Sequence, residues 1–187
     1  MRKSNRLNRE GQRRAIGIAV SAVLVLVAVV LAVSGGDGGD EVEVEAVDTT
    51  PRLVEPADLG ELEETLGHAV YWAGERPPEQ LELAQDASGN VFLRYLPPGV
   101  EAGDPGAEFL TVGTYPFADP VAGLESTAAE VGANLQVGPD GAKVLVNPEA
   151  PDSAYLAYPG SELQVEVYDP SGAALELVRS GQIGPAG

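Results

Sequence analysis

The distribution of apolar and polar positions divides the chain into two parts. Residues 15–33 form an uninterrupted apolar run in which Ser21 is the one polar residue. A helix of that length extends about 28 Å, which matches the hydrocarbon thickness of a bilayer, so the run predicts a transmembrane helix. From residue 52 onward, the apolar positions come in short groups that glycine and proline separate. This second pattern predicts one domain with many turns over residues 52–187.

A β-hairpin is the clearest local prediction in the second part. Two β-prone segments, 81–84 and 91–96, flank a five-residue Asp-Ala-Ser-Gly-Asn loop. In the register that this loop favours, Glu82 lies opposite Arg94, and the apolar residues of both segments share the other face. An opposite-charge pair of this kind fixes the register of a hairpin, and it adds little stability where it is exposed.

Three helices are predicted from helical spacing and from capping residues. Asp58 and Glu61 form a candidate capping box before the first helix. Asp-Pro pairs at 119–120 and 169–170 have the composition of an N-cap followed by the first helical residue. The remaining apolar groups indicate strands. Runs of strands with helices after them are typical of an α+β fold, so we predict an antiparallel sheet with about three helices on one face.

Charge is distributed unevenly about the apolar run. Residues 1–14 contain six basic residues and one acid, whereas the whole chain carries a net charge of −18. Basic residues that flank a span stay in the cytoplasm, so we expect a cytoplasmic N-terminal tail, a single-pass anchor in the cell membrane and an extracytoplasmic domain. The rival interpretation is a secretory signal peptide cleaved after Ser34, although the run exceeds the usual hydrophobic region of roughly 7–15 residues.

Residues 34–51 predict a solvated linker between the anchor and the domain. The segment is rich in glycine and then in acidic residues, and like charges keep such a segment extended. It matches a glycine-aspartate calcium repeat once, but those sites need stacked copies. We therefore predict neither a metal site nor a cofactor.

The domain itself is strongly acidic. After residue 51 the chain has 22 acidic residues and five basic ones. Such a surface repels phosphate groups, which argues against nucleic acid as a partner. The expected partner surfaces are therefore the membrane, through residues 15–33, and other envelope components.

Residues that catalyse reactions are scarce. His68 is the one histidine, and the chain has no cysteine, which excludes disulfides and thiolate metal sites. The sequence also lacks the nucleophile elbow of serine hydrolases, the phosphate-binding loop and the zinc-protease motif. We predict no catalytic residue and a protein that is not an enzyme. The alternative is a hydrolase centred on His68.

Four aromatic residues are the predicted ligand-binding site: Tyr71, Trp72, Tyr95 and Tyr115. They lie in or at the ends of predicted strands, where aromatic rings on a sheet face stack on sugar rings or receive a peptide. The other interpretation is that they pack the core and its rim. We predict a non-catalytic binding domain whose partner is an envelope protein, a peptide or a wall polymer. The alternative is an accessory subunit of a membrane complex that makes its contacts through the anchor.

Three segments carry a resemblance to a known group of proteins. They read LGHAVYWAG at 66–74, VFLRYLPPG at 91–99 and FLTVGTYP at 109–116. These segments resemble those of single-pass membrane proteins of high-GC Gram-positive bacteria that have no assigned function. The resemblance implies one extracytoplasmic domain over most of the chain after the anchor, and it transfers no site residues.

Overall fold

The structure, a computed structural model, describes residues 49–187. The helices are α1 (Asp58–Leu66), α2 (Pro120–Val131) and α3 (Ala174–Arg179), with a 3-10 turn at Pro139–Gly141. The strands are β1 (Arg52–Val54), β2 (Tyr71–Trp72), β3 (Gln80–Gln85), β4 (Val91–Leu96), β5 (Thr111–Pro116), β6 (Gln136–Val137), β7 (Lys143–Asn147), β8 (Ala150–Ala157), β9 (Leu163–Tyr168) and β10 (Gly184–Pro185).

The predicted tail, the transmembrane helix and nearly all of the linker lie outside the described residues. They correspond to residues 1–14, 15–33 and 34–48. Within residues 49–187, no helix has both the length and the apolar character that crossing a bilayer requires. The anchor at 15–33 therefore stays a prediction from the sequence.

Eight strands form one antiparallel sheet in the order β1-β3-β4-β5-β9-β8-β7-β6, and β2 pairs with β10 in a second, two-stranded sheet. This arrangement confirms the predicted α+β class, with a largely antiparallel sheet and three helices. The hairpin of β3 and β4 has the predicted register, with Glu82 opposite Arg94. Loop length and alternation were therefore sufficient to place these two strands.

The helices pack on both faces of the sheet, which corrects the prediction of a single helical face. Leu59 of α1 and Leu177 of α3 join the larger core cluster, together with Val144 of β7. Leu124 of α2 joins a second cluster with Leu145 of β7. Consecutive residues of a strand point to opposite faces, so α2 lies on the face opposite α1 and α3.

The face of the sheet that packs against α1 and α3, which we call the first face, is a continuous apolar layer. One aligned row crosses five strands, and all of its members are buried: Leu83, Leu93, Val112, Val167 and Ala154. Burial of such a row removes apolar surface from water, which is the main favourable term in folding. This layer holds the sheet against α1 and α3.

The helix termini agree with the predicted chemistry in one of three cases. Asp119 caps α2 by accepting a hydrogen bond from the backbone N–H of Ala122 at 3.2 Å. Asp58 makes no capping box, because its carboxylate accepts from the backbone N–H of Glu55 instead. Asp169 accepts from the N–H of Ser171 within a turn, and α3 starts only at Ala174.

The charged pair of the hairpin is buried, so the small stability contribution expected of an exposed pair does not apply to it. Glu82 has 0 % and Arg94 has 7 % of its surface exposed. Arg94 donates to Glu82 at 2.8 Å and to the carbonyl oxygens of Asp104 and Gly106. Glu82 in turn accepts from the N–H of Gly103. The loop between β4 and β5, residues 97–110, therefore folds over the pair and excludes water from it.

Candidate functional site

A cleft of about 370 Å³ lies at the edge of the sheet, beside β1. Its apolar lining includes Trp72 of β2, Leu81 of β3 and Tyr95 of β4, with Leu53 and Val54 of β1. The remaining lining residues are Glu55, Pro56, Gly74, Glu75, Arg76, Pro77, Glu79 and Gln80. The cleft therefore has aromatic and aliphatic walls and a rim of charged residues. We refer to it below as the Trp72–Tyr95 cleft.

Tyr95 forms a fixed wall of this cleft. Its hydroxyl accepts a hydrogen bond from the N–H of Ala73 at 2.8 Å and donates to the carbonyl oxygen of Gly74 at 3.1 Å. Only 5 % of Tyr95 is exposed. Because its hydroxyl is committed to the backbone, Tyr95 offers a ligand only the small exposed part of its ring. The same two bonds tie the end of β2 to β4 and so position the loop that forms the rim.

Trp72 is the half-buried aromatic residue of the cleft. It lies opposite Gly184 in the pairing of β2 with β10. Its neighbour Tyr71 donates its backbone N–H to Thr114 Oγ1 at 3.0 Å, which joins β2 to β5 of the main sheet. Among residues 49–187, none accepts a hydrogen bond from the Trp72 indole. Trp72 therefore combines an apolar ring with a hydrogen-bond donor that a ligand can use.

The rim of the cleft is predominantly acidic. Glu55, Glu75 and Glu79 are exposed there, and Arg76 is half-buried between them. Arg94 and Glu82 form the one salt bridge within residues 49–187, so none of these four rim charges is paired within that part of the chain. Three carboxylates and one guanidinium give the rim a net negative charge.

The four predicted site residues do not share one surface. Trp72 and Tyr95 both line the cleft. The ring of Tyr71 stacks on Tyr158, with 6.0 Å between the ring centroids and 19° between the planes. Tyr115 points to the second face, where its hydroxyl donates to Glu166 at 2.9 Å. Tyr71 and Tyr115 therefore contribute packing and strand-to-strand contacts, and only two of the four aromatic residues line the cleft.

The rim residues were missed in the sequence analysis. The stretch ERPPE at 75–79 begins three residues after Trp72, the second of the adjacent aromatic residues Tyr71 and Trp72. A charged, proline-containing loop beside exposed aromatic residues is a signal for a binding site, because loops held by a rigid scaffold carry many binding residues. Its position relative to Tyr95 depends on the pairing of distant strands, which the local pattern does not contain.

His68 lies outside the cleft. Its Nδ1 atom lies 2.9 Å from the carbonyl oxygen of Ala69, which accepts the hydrogen bond. No described serine or acidic side chain hydrogen-bonds to the ring. Within residues 49–187, no three histidine, cysteine or acidic side chains are grouped so as to hold a metal ion. The described contacts of His68 therefore do not support the alternative of a hydrolase centred on this residue.

Comparison with known proteins adds no family assignment. No protein-family model matches the chain, and no match is found among curated proteins or solved structures. The resemblance to single-pass proteins of high-GC Gram-positive bacteria stays a prediction.

Buried tyrosines predict a loss of stability at alkaline pH. Burial, the largest cause, raises the pKa of Tyr95 to about 12, and the pKa values of Tyr71, Tyr115, Tyr155 and Tyr158 are raised with burial as the first cause. The unfolded chain releases these protons near pH 10, before the folded protein does. Stability is therefore fully present below about pH 10 and falls by about 1.4 kcal/mol per pH unit for Tyr95 as the pH rises toward its folded pKa.

Urea unfolding at a series of pH values, with tyrosinate absorbance at 295 nm, measures this loss. The Tyr95→Phe variant is the control, and its stability should decline less steeply above about pH 10. Tyrosines that all ionise near pH 10 in a chain that stays folded would contradict the prediction.

Proposed function

We propose that this protein is a membrane-anchored, extracytoplasmic binding protein that holds its ligand in the Trp72–Tyr95 cleft and performs no catalysis. The observation that carries the proposal is that Trp72 and Tyr95 both line one cleft of about 370 Å³. Ligand sites are concave, largely apolar and furnished with a few polar groups, and their volumes start near 300 Å³. The cleft has a volume in this range, and its apolar walls adjoin a rim of polar and charged groups.

The aromatic residues support binding as the role of the cleft. Tryptophan and tyrosine are enriched among the residues that dominate binding energy, because they bury a large area at a small cost in conformational entropy. Tyr95 is already immobilised by its two backbone contacts. A ligand that packs on its ring therefore pays little to order this wall.

The membrane location is supported by the sequence. The apolar residues 15–33 follow a basic segment and precede an acidic one, which is the arrangement of a single-pass anchor with an external domain. The described domain starts at β1, soon after the predicted linker. The proposal therefore places the cleft on the envelope side of the membrane, where peptides and wall polymers are available.

Replacing Trp72 by phenylalanine should weaken ligand binding by about tenfold or more, because the substitution removes the indole donor and part of the apolar wall. The measurement uses the full chain in nanodiscs and two probes. The first is a library of random decapeptides, from which enriched peptides are synthesised, and the second is a set of soluble peptidoglycan fragments. Isothermal titration calorimetry gives the dissociation constants.

Tyr115→Phe is the matched control, because it changes an aromatic residue on the opposite face to the same residue type. Binding should be unchanged in this variant. The proposal fails if neither probe binds the wild-type chain, or if Trp72→Phe and Tyr115→Phe bind equally well.

A further inference from the structure

We propose that the cleft receives a lysine or arginine side chain from an extended peptide segment of a partner protein. This inference rests on the proposed function, because it names the class of ligand for the same cleft. It follows from the charge of the rim, the chemistry of the walls and the position of β1 at the edge of the sheet.

The rim charges favour a cation. Glu55, Glu75 and Glu79 surround the cleft together with a single cation, Arg76. No ion pair within residues 49–187 compensates the three carboxylates. The rest of the domain strengthens the same field, since 22 acidic residues face five basic ones after residue 51. Charge complementarity of this kind steers cationic partners to a surface and rejects anionic ones.

The walls suit the stem of a long cationic side chain. Lysine and arginine pack their methylene groups on apolar surface while the charged end stays at a polar boundary. Trp72, Leu81 and Tyr95 provide the apolar surface, and the carboxylates lie at the rim. The faces of aromatic rings also attract cations. A volume of about 370 Å³ is near the lower limit for ligand sites and fits one or two side chains.

The edge of the sheet favours an extended peptide over a free amine or a glycan. β1 is the terminal strand, and its outer edge pairs with no strand among residues 49–187. An extended peptide adds to such an edge through main-chain hydrogen bonds, and its alternate side chains then enter neighbouring pockets. Val54 and Glu55 join β1 to the lining of the cleft. A peptide on this edge therefore passes directly beside the acidic rim.

Arg76 provides the sharpest test of the inference. It has no ion-pair partner within residues 49–187, so an acidic ligand is the rival occupant. An acidic ligand would bind Arg76 against the repulsion of three carboxylates, whereas a cationic ligand would contact those carboxylates with one repulsive neighbour. The two cases predict opposite preferences between lysine and glutamate.

The experiment uses three acetylated and amidated pentapeptides, Thr-Val-Xaa-Val-Thr, in which Xaa is lysine, norleucine or glutamate. Each is titrated into the full chain in nanodiscs, and emission from Trp72, the single tryptophan of the chain, reports occupancy of the cleft. The lysine peptide should bind about tenfold more tightly than the norleucine peptide, and raising the salt from about 0.05 M to 0.5 M should reduce that preference. Glu79→Gln should lower it about threefold. Glu125→Gln, an identical charge change on exposed α2, should leave it unchanged.

Equal binding of the lysine and norleucine peptides, with Trp72 responding to both, overturns the cationic ligand while the proposed binding function stands. Stronger binding of the glutamate peptide overturns it in favour of Arg76. If none of the three peptides changes the Trp72 emission, the inference fails, and the proposed function is then decided by the library and peptidoglycan experiment alone.

Discussion

Replacing Arg94 by methionine should lower the free energy of unfolding by about 3–5 kcal/mol, because it leaves the carboxylate of Glu82 buried without a counter-charge. Glu82 is fully buried and would keep only the N–H of Gly103 as a partner. The substitution also removes the donor that holds the carbonyl oxygens of Asp104 and Gly106. Urea unfolding of the full chain should show a midpoint lower by more than about 1 M.

The double variant Glu82→Gln with Arg94→Met is the control for this prediction. Glutamine keeps an acceptor for the N–H of Gly103 and carries no charge, so the double variant should be more stable than Arg94→Met alone. Methionine fills most of the volume of the arginine stem, which separates the effect of charge from the effect of a cavity. A loss below about 1 kcal/mol for Arg94→Met, or a double variant that is no more stable than the single one, would contradict the importance of the buried charge.

Replacing Leu93 by alanine should cost about 2–5 kcal/mol, because the residue is wholly buried in the middle of the first face. Its neighbours across the strands are Leu83 and Val112, so truncation opens a cavity inside the largest apolar layer. Thermal or urea unfolding measures the loss.

Leu53→Ala is the matched control for the Leu93 substitution. Leu53 is 44 % exposed on β1, and its truncation should cost less than about 1 kcal/mol. Equal losses in the two variants would show that the first face is not the main source of stability.

Local pattern was sufficient for the hairpin because its information lies within a few residues. The loop length fixed the register, and the alternation of apolar residues fixed the face, so the pairing of Glu82 with Arg94 followed. Burial of that pair was not predictable in the same way. It depends on the path of the loop formed by residues 97–110. Hydrogen bonds from Arg94 to backbone carbonyl oxygens set that path. Because every residue carries a carbonyl oxygen, the sequence of the loop does not reveal these bonds.

Local sequence pattern also did not predict which face α2 covers or where the cleft lies. β7 contains the consecutive apolar residues Val144, Leu145 and Val146, a pattern that is typical of a strand buried on both faces. That pattern was the available signal that α2 covers the second face. The loop at 75–79 was a local signal for binding, but no local pattern showed that Trp72 and Tyr95 line the same cleft. That arrangement depends on contacts between Tyr95 of β4 and the backbone of residues 73 and 74.

The pairing of β10 with β2 has a practical consequence for protein engineering. Gly184 lies opposite Trp72, and the N–H of Ala186 donates to the carbonyl oxygen of Val70 at 3.0 Å. An affinity tag or fluorescent fusion appended after Gly187 would thus begin four residues after Gly184, the strand partner of Trp72. Purification handles are better introduced at the opposite end of the polypeptide, away from Trp72 and the cleft that we propose as the binding site.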